Sequence, residues 1–336
     1  MIMKSKNSCL FFLALMVTGA LLMISWTETA CAQQYPTKPI RLVVAYPPGG
    51  TSDIAARLLA NWIIEKKKFP QPVMVVNRPG GAGSIGQTEV MNAPPDGYTL
   101  LLSAQMAAAM PIILPEPPFE MEKRTWLGNY YVDPYLFFVK GDSEFKTLKE
   151  VVNRAKADPA NFSWGTSGPT GAAAFMIGLL LHINGIPPMS TKMVSYQGGG
   201  EYINAVAGGH VMFSADSQIK GLVAAGKLRA LAAVYEKRHP QFPDVPTVAE
   251  AGYPGFPPEF VPNNGIEGPP GLPSYVVEPW IKVIREATED PDFRKQSEGA
   301  NKIVAYWTPE ESKRVMFRNH EVFKEIAPLL GLVKKK

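Results

Sequence analysis

Cysteine is nearly absent from this sequence. Its 336 residues contain only Cys9 and Cys31, and both precede the first segment that has the pattern of a β-strand. The chain beyond Cys31 therefore has no disulfide, no cysteine nucleophile and no thiolate ligand for a metal ion.

Motifs for nucleotide binding are missing as well. No G-x-x-x-x-G-K-[ST] stretch occurs, which excludes a P-loop. Gly81, Gly83 and Gly86 have the spacing G-x-G-x-x-G, but they follow the second predicted strand, and no acidic residue follows where a ribose would need it. The sequence thus predicts no cofactor.

The charge pattern excludes one class of partner. The formal net charge is +4 at pH 7, and no cluster of Lys and Arg is interleaved with aromatic residues, so we expect no nucleic-acid partner. A weakly positive balance mildly favours anionic ligands. The histidines have no metal-ligand spacing, and no metal site is predicted. They are His182, His210, His239 and His320.

One short stretch approaches a catalytic motif. Residues 165–169 read GTSGP, which is similar to the G-x-S-x-G nucleophile elbow centred on Ser167. Pro169 takes the position of the last glycine, which the sharp turn of that motif requires. No histidine is placed to serve as a base. A serine hydrolase is therefore the weaker alternative, and we expect that the protein is not an enzyme.

The N-terminus has the composition of a secretory signal peptide. Two lysines precede an uncharged apolar run at residues 10–24, and Ala30-Cys31-Ala32 follows as an A-x-A cleavage pattern. We predict a signal peptide at residues 1–32, cleavage after Ala32 and a periplasmic location. The alternative is a lipoprotein acylated at Cys31. No later apolar run of about 18 residues occurs that would span a membrane.

Strand-like and helix-like segments alternate along the rest of the chain. Ile40–Tyr46, Val73–Asn77 and Tyr98–Ser103 are short apolar runs typical of buried strands, and a helical pattern begins near Ser52. A second set of such segments starts near Tyr135, where a capping box at residues 147–150 opens a helix. The alternation predicts an α/β fold with two units, each built on a mostly parallel sheet.

Each unit has a loop rich in glycine and hydroxyl residues between a strand and a helix. A helix N-terminus has unpaired N–H groups and a positive dipole end, and glycine lets a ligand approach the backbone. Two such loops at the carboxyl ends of strands would hold a small carboxylate between them. The alternative is that they are only tight turns. The first loop contains Gly49, Gly50, Thr51 and Ser52, and the second contains Thr166, Ser167, Gly168, Thr170 and Gly171.

Two acidic residues lie close to these loops in the predicted fold. Asp53 would be a favourable charge in the first helical turn, a group that orients the loop, or a partner for a ligand ammonium group. Asp216 follows the strand-like residues 211–215 and would be a turn residue or a ligand contact. The sequence leaves these alternatives open.

Longer motifs connect these features to one family. YPTKPIRLVVAYPPGGTSDIAARLLA, VVNRPGGAGSIG and PPDGYTLLLS are followed in order by YQGGGEYINAVAGGHV, GKLRALAAV and FPDVPTVAEAGYPGF. In the order and spacing of these motifs, from about Tyr35 to the C-terminus, the chain resembles the periplasmic solute-binding receptors of tripartite tricarboxylate transporters, the Bug-type receptors.

The resemblance implies a two-lobed periplasmic-binding-protein fold of the Venus-flytrap, type II-like kind. Lobe 1 would comprise residues 33–131 and 237–336, and lobe 2 would comprise residues 132–236, with hinges near Asn129–Pro134 and Val234–Lys237. It also implies a monomeric receptor that holds a small organic carboxylate between the lobes. The receptor would deliver this ligand to the membrane permease subunits of a tripartite transporter. A ligand-sensing receptor for a signalling partner is the alternative.

The resemblance places the ligand at these loops and at neighbouring strand ends. Receptors of the family often carry a His at the position of Ala174 and a Lys at that of Gln197, so we expect a less polar site here, suited to an apolar or aromatic ligand body. Dicarboxylates, tricarboxylates, aromatic acids and acidic amino acids all remain open. The predicted ligand-binding residues are Tyr46, Pro48, Gly49, Gly50, Thr51, Ser52, Asp53, Ser103, Gln105, Thr166, Ser167, Gly168, Thr170, Gly171, Ala172, Gln197, Gly198 and Asp216.

Overall fold

The computed structural model describes residues 34–114, 119–300 and 302–333. The predicted signal peptide, with Cys31 and the cleavage site after Ala32, lies outside these residues. The described residues from Pro36 onward form one compact unit that contains two β-sheets. No helix in the described ranges combines the length and the apolar character that a membrane span requires.

Strands and helices alternate along the described chain, as the sequence predicts. The strands are β1 (Ile40–Val44), β2 (Val73–Asn77), β3 (Thr99–Ala104), β4 (Thr125–Val132), β5 (Leu136–Lys140), β6 (Ser163–Thr166), β7 (Lys192–Ser195), β8 (Phe213–Asp216), β9 (Leu228–Ala233), β10 (Asn263–Gly268) and β11 (Ile303–Trp307). The helices are α1 (Thr51–Glu65), α2 (Ser84–Met91), α3 (Met110–Ile113), α4 (Leu148–Ala157), α5 (Ala172–Ile183), α6 (Gly199–Gly208), α7 (Lys220–Ala224), α8 (Ser274–Glu289), α9 (Pro291–Gly299) and α10 (Pro309–Ile326).

The strands form two separate sheets flanked by helices. The first sheet has the order β11-β4-β10-β3-β1-β2, and the second has the order β7-β6-β8-β5-β9. The expected parallel pairs are present, because β1 is parallel to β2 and β3, and β6 is parallel to β7 and β8. The other pairings are antiparallel, so the sheets are mixed rather than mostly parallel. The antiparallel strands include those that carry the chain between the sheets and back.

The register of the strands brings the loops rich in glycine and hydroxyl residues to one edge of each sheet. In the first sheet, the start of β10 lies beside the end of β3, where Asn264 pairs with Ala104, and the start of β11 lies beside the end of β4. In the second sheet, Leu136 at the start of β5 pairs with Asp216 at the end of β8. The short link between β4 and β5 therefore joins the carboxyl-end edges of the two sheets.

Local sequence explains how the flanking helices form. In α1, Ala55, Leu59 and Ile63 recur every four residues and are buried, which gives this helix its inward face. The predicted capping box of α4 is confirmed, because Thr147 accepts from Glu150 N and the Glu150 side chain accepts from Thr147 N. Helix α5 is apolar over nearly its whole length and is correspondingly buried.

The C-terminal helix α10 packs against both sheet units. His320 Nδ1 lies 2.9 Å from the carbonyl oxygen of Ala108, which follows β3 of the first sheet. Three residues further on, the ring of Phe323 meets the ring of Phe175 in α5 edge-on, with centroids 4.6 Å apart. At the end of α10, Ile326 lies against Gly178, where an added Cβ would be 3.1 Å from the Ile326 side chain.

Candidate functional site

The first loop reaches helix α1 through a left-handed turn. Gly49 has a φ of +78°, which favours glycine, and the extended Gly50 precedes the helix without a side-chain cap. The backbone N–H groups of Thr51, Ser52 and Asp53 have no acceptor within the described residues. Three donors are thus available at the positive end of a 15-residue helix.

The carboxylate of Asp53 holds the first loop in place through hydrogen bonds. It is buried and accepts hydrogen bonds from Gly49 N, Arg57 Nε and Asn77 Nδ2, each at 2.9 Å. Asn77 Nδ2 also donates to the carbonyl oxygen of Tyr46 at 3.1 Å. Burial raises the pKa of Asp53, but these hydrogen bonds outweigh burial and hold the pKa below its usual value. Of the roles that the sequence allowed, this geometry is that of a group that orients the loop.

A hydroxyl rather than a carboxylate holds the second loop. The buried Thr166 donates from Oγ1 to the carbonyl oxygen of Gly168 at 3.1 Å, and Gly171 N donates to the same oxygen at 3.0 Å. Helix α5 then begins without a side-chain cap. The N–H groups of Ala172 and Ala173 have no acceptor within the described residues, so this loop also ends in free donors.

Gln197 and Gly198 lead into helix α6 of the same unit. Gln197 N donates to Glu201 Oε2 at 2.9 Å, and Glu201 N donates to the carbonyl oxygen of Gly198 at 3.2 Å. The Gln197 side chain is exposed. The acid in the first turn therefore holds the backbone just before the N-cap residue Gly198.

Asp216 ends β8 at the edge of the second sheet and is only 5% exposed. Its Oδ2 accepts from the hydroxyl of Tyr202, and its Oδ1 accepts from Gln218 N at 2.8 Å. Burial raises the pKa of Asp216 to about 6, and the neighbouring charge of Asp133 acts in the same direction. The contact with Gln218 N is that of the turn residue predicted as one alternative.

The two polar residues at the end of β3, Ser103 and Gln105, differ in whether their side chains are hydrogen bonded. The hydroxyl of Ser103 donates to Glu267 Oε1, and Glu267 Oε2 forms a buried ion pair with Arg124 at 2.8 Å. Gln105 is 2% exposed, and neither its Nε2 nor its Oε1 has a partner in the described part of the chain. An unpaired buried amide costs about 1–3 kcal/mol. Gln105 is therefore a group at this edge whose hydrogen bonding is incomplete.

Tyr46 lies just before the first loop in the chain and has a neutral phenol side chain. Its ring lies against the glycine-rich turn before α2, where a Cβ on Gly83 would be 3.3 Å from the Tyr46 hydroxyl. Among the described residues, the buried Tyr46 hydroxyl has no hydrogen-bond partner, and neither has Gln87 Nε2 or Arg124 Nε. Burial raises the pKa of Tyr46 to about 12, although the charge of Arg124 opposes this.

The structure places the predicted residues in two groups. Residues 46–53, 103 and 105 lie at the carboxyl-end edge of the first sheet, and residues 166–172, 197, 198 and 216 lie at that of the second. The three residues 133–135 connect β4 to β5, so the two edges lie close together. The ligand-binding role of these residues stays a prediction.

Sequence reasoning did not identify several polar residues at the same edges. Asn264 donates to Ser52 Oγ at 3.4 Å and to the carbonyl oxygen of Ser103 at 3.3 Å. Asp133, in the link between the sheets, forms a buried ion pair with Lys302 at 2.9 Å. Asn77 could have been identified from the sequence, because it ends a predicted strand and ligands bind at the carboxyl ends of strands in α/β sheets. No comparable signal precedes Asn264, since β10 has no apolar pattern.

The serine hydrolase alternative has no geometric support in the described residues. His182 contacts Glu325 at 3.0 Å, His239 accepts from Gln241 N at 3.1 Å, and His320 contacts a backbone carbonyl. None of these histidines is hydrogen bonded to Ser167. Within the described ranges, no three His, Asp or Glu side chains are grouped as metal ligands.

Three surface cavities lie away from the predicted residues. Their volumes are about 430, 460 and 400 Å³, and none of the predicted ligand-binding residues lines them. The first is formed between α5 and α10, and the other two lie beside β11. We take the candidate site to be the region between the two sheet edges, called the groove below, rather than one of these cavities.

Solved structures identify this architecture as the two-lobed fold of periplasmic binding proteins. The periplasmic binding protein BugD superposes with a TM-score of 0.72 and 26% identity, and the match covers 90% of this chain and all of BugD. The structure of Rpa4515 from R. palustris with adipate has a TM-score of 0.74 and 24% identity, and covers 88% of this chain and 98% of that protein. We refer below to the unit of the first sheet as lobe 1 and to that of the second sheet as lobe 2.

Sequence comparison gives the family. The model of the tripartite tricarboxylate transporter family receptors matches residues 56–329. Protein BugT of Bordetella pertussis is 29% identical over 84% of this chain and 86% of its own length. The chain therefore belongs to the tripartite tricarboxylate transporter family of receptors, as the motifs predict. The family and the fold are those of solute-binding receptors.

Proposed function

We propose that this protein captures a small organic carboxylate between its lobes and delivers it to the membrane permease subunits of a tripartite transporter. The observation that carries the proposal is the set of free N–H groups of residues 51–53 at the start of α1. Asp53 holds the loop in place beneath them through three hydrogen bonds. Since its carboxylate oxygens accept from Gly49, Arg57 and Asn77, Asp53 does not occupy the free N–H groups itself.

The chemistry of these donors favours an anion. Unpaired N–H groups at a helix N-terminus carry roughly half a positive charge, and a carboxylate satisfies them. Lobe 2 offers two further free N–H groups at Ala172 and Ala173. A carboxylate held at α1 would thus meet a second helix N-terminus when the lobes approach each other.

Ligand binding would shift an equilibrium between open and closed forms. The hinge would include the link at residues 133–135 and the return crossing that begins after β9. We also propose that the protein is exported to the periplasm, that its signal peptide is cleaved after Ala32 and that it acts as a monomer. The lobes would have the boundaries that the sequence predicts, and the predicted residues from Tyr46 to Asp216 would form the ligand site.

Thermal unfolding of the chain from Gln33 against a panel of organic acids tests the proposal. Adipate is included because a protein of the same fold holds it. A ligand that binds only the folded state stabilises by RT ln(1 + [L]/Kd), which is about 4 kcal/mol at a thousandfold excess over Kd. A panel in which no carboxylate raises the unfolding midpoint would contradict the proposal.

The variant Thr51→Pro then tests the backbone donors directly. Proline at the first helical position removes one N–H without disturbing the helix, and the extended Gly50 tolerates a following proline. We expect affinity to fall about tenfold or more, because a charge-assisted hydrogen bond is lost. Thr51→Ala is the matched control, since it removes the hydroxyl and keeps the N–H. Equal affinities of the two variants would argue against the role of this amide.

A further inference from the structure

We propose that the lobes turn on two neighbouring pivots, Pro134 in the first link and Val261 in the return crossing, and that residues 235–260 move with lobe 2 as one body. This inference rests on one part of the proposed function, namely that the lobes move relative to each other. It refines the boundary proposed above, because residues 237–260 lie in lobe 1 by the boundary that the sequence predicts.

The three residues of the first link are held by different lobes. Asp133 N donates to the carbonyl oxygen of Pro262 at 2.7 Å, and Pro262 immediately precedes β10 of the first sheet. Tyr135 accepts from Val234 N at 2.8 Å, beside the pairing of β5 with β9 in the second sheet. Pro134 is therefore the residue of this link at which the chain passes from one lobe to the other.

The return crossing is attached to lobe 2 along its early part. Ala233, at the end of β9, donates its N–H to the carbonyl oxygen of Pro246 at 2.8 Å and accepts from Val248 N at 2.9 Å. Ala233 and Thr247 form a parallel β-bridge. Residues 246–248 thus lie along β9 as a short addition to the second sheet, and residues 235–245 both begin and end beside this sheet.

Aromatic residues attach the later part of the crossing to the same lobe. The ring of Phe256 meets the ring of Phe137 in β5 edge-on, with centroids 5.9 Å apart. The ring of Phe260 meets that of Phe256 edge-on at 6.4 Å, and both side chains are buried. Because Pro262 already contacts lobe 1, Val261 separates the last of these contacts with lobe 2 from the first contact with lobe 1.

The two pivots lie side by side. The hydrogen bond between Asp133 N and Pro262 joins the residue before the first pivot to the residue after the second. Lys302, which precedes β11, pairs with the carboxylate of Asp133 at 2.9 Å, and both side chains are buried. Separating such a pair would leave two buried charges uncompensated, so the pair holds the first link to lobe 1. A hinge needs only a few residues that absorb the change in backbone torsion, and the pivots fit this description.

Two of the surface cavities lie between the crossing and lobe 1. The cavity of about 460 Å³ has residues 235–237 and 258–259 on one side and β11 and α10 on the other. The cavity of about 400 Å³ has residues 240 and 241 on one side and α9 and β11 on the other. Parts of one rigid body are usually close packed, so these spaces favour a crossing that moves relative to β11.

Distances between spin labels test the assignment on the chain from Gln33 without added ligand. The chain after Cys31 has no cysteine, so labels attach only at introduced thiols. The labelled variants are Lys149→Cys in α4 of lobe 2, Ala249→Cys in the crossing and Lys282→Cys in α8 of lobe 1, all at exposed positions. Double electron–electron resonance gives the distance distribution for each pair. We expect a narrow distribution between positions 149 and 249, and broad ones for both pairs that include position 282.

The outcomes separate this inference from the proposed function. A broad distribution between positions 149 and 249, together with a narrow one between positions 249 and 282, would overturn the inference and favour the boundary predicted from the sequence. Equally narrow distributions for all three pairs would show that the lobes do not turn, and the inference would fail. Neither result bears on the binding of a carboxylate, which thermal unfolding measures separately.

The ion pair at the first pivot has a test of its own. Asp133→Leu combined with Lys302→Met removes both charges together, and replacing a buried pair by apolar groups is often tolerated. Since the first link would lose this attachment to lobe 1, we expect the distribution between positions 149 and 282 to broaden further. Arg154→Met with Asp158→Leu, at an ion pair near the surface of lobe 2, is the control that should leave this distribution unchanged.

An unchanged distribution in the hinge variant would overturn the role of the ion pair. The assignment of the crossing to lobe 2 would then depend on the three labelled pairs alone. Those measurements keep Asp133 and Lys302 in place, so they do not depend on the folding of the double variant.

Discussion

Asp53 and Asp216 occupy comparable places in the two lobes and have opposite electrostatic properties. Both are buried acids near the carboxyl end of a strand. Asp53 accepts from Arg57, Asn77 and a backbone N–H, and these bonds hold its pKa below the usual value in spite of burial. Asp216 accepts only from neutral groups, and burial raises its pKa to about 6. The difference lies in the partners: the hydrogen bonds from Arg57, Asn77 and Gly49 N outweigh the burial of Asp53, whereas the hydrogen bonds to Asp216 do not outweigh its burial.

The two glycine-rich loops also differ in the hydrogen bonds that hold them in place. In lobe 1 a carboxylate joins the loop, the first turn of α1 and the end of β2. In lobe 2 the loop at Gly168 is joined by one hydroxyl and one backbone bond. Lobe 1 therefore has the more strongly fixed half of the groove.

The largest expected effect comes from removing the carboxylate of Asp53. Asp53→Ala leaves Gly49 N and Asn77 Nδ2 without their acceptor and Arg57 without its partner. We expect a loss of about 4 kcal/mol in the free energy of unfolding and no ligand-induced stabilisation. Chemical denaturation with and without ligand measures both quantities.

Asp158→Ala provides the matched control for this variant. Asp158 also contacts an arginine four residues away, Arg154, but on an exposed surface of lobe 2. Exposed pairs contribute little, so we expect its unfolding and its ligand response to remain close to those of the unmodified chain. Equal destabilisation by the two variants would remove the distinction between a structural and a surface carboxylate.

A somewhat smaller effect is expected for Asp216, and it depends on pH. Its pKa is about 6 in the folded protein and 3.8 as the ordinary value, so the folded state holds the proton more tightly. This stabilisation is present below about pH 4 and is lost as the pH rises through about 6. Relative to Asp216→Asn, the unmodified chain should lose about 2 kcal/mol between pH 4 and pH 7.

Urea denaturation of both proteins across this pH range measures the difference. The corresponding difference for Asp53→Asn should have the opposite slope, because the pKa of Asp53 is lowered. Parallel curves for Asp216→Asn and the unmodified chain would show that Asp216 has an ordinary pKa.

The smallest expected effects compare one glycine from each lobe. A Cβ on Gly86 would lie 2.9 Å from the Cα of Ala45 and from the carbonyl oxygen of Arg78, which are backbone atoms. A Cβ on Gly171 would lie 2.6 Å from the hydroxyl of Ser167, which rotates. We expect Gly86→Ala to cost about 2 kcal/mol and Gly171→Ala about 1 kcal/mol. Thermal unfolding gives the order, and the reverse order would contradict the distinction between a backbone obstruction and a side-chain obstruction.

Much of the fold could be predicted because apolar strands and polar turns carry local signals. Val73–Asn77 was predicted with the bounds of β2, and the capping box at Thr147 is present. Strand β10 was not predicted, since its sequence NNGIEG has neither alternation nor an apolar run. It is buried because it pairs between β3 and β4, and Gly265 is required there because a Cβ would lie 2.6 Å from the carbonyl oxygen of Gly128.

The features of the site that depend on residues close together in the sequence could be predicted. The two loops follow from glycine and hydroxyl residues between a strand and a helix, and the pairing of Asp53 with Arg57 has the i, i+4 spacing of a helix. The contact of Asp53 with Asn77 spans 24 residues, and that of Asp133 with Lys302 spans 169 residues. Such pairs depend on strand order and register, which no local pattern specifies.

The path of α10 limits how this molecule can deform. The chain passes between the lobes at residues 133–135 and again between β9 and β10, and α10 holds lobe 1 at His320 and lobe 2 at Phe323 and Ile326. We expect these three connections to favour rotation of one lobe relative to the other about a single axis. A single distance across the groove should therefore follow the whole motion. Because the chain after Cys31 has no cysteine, two engineered thiols would place the probes for that distance without competing sites.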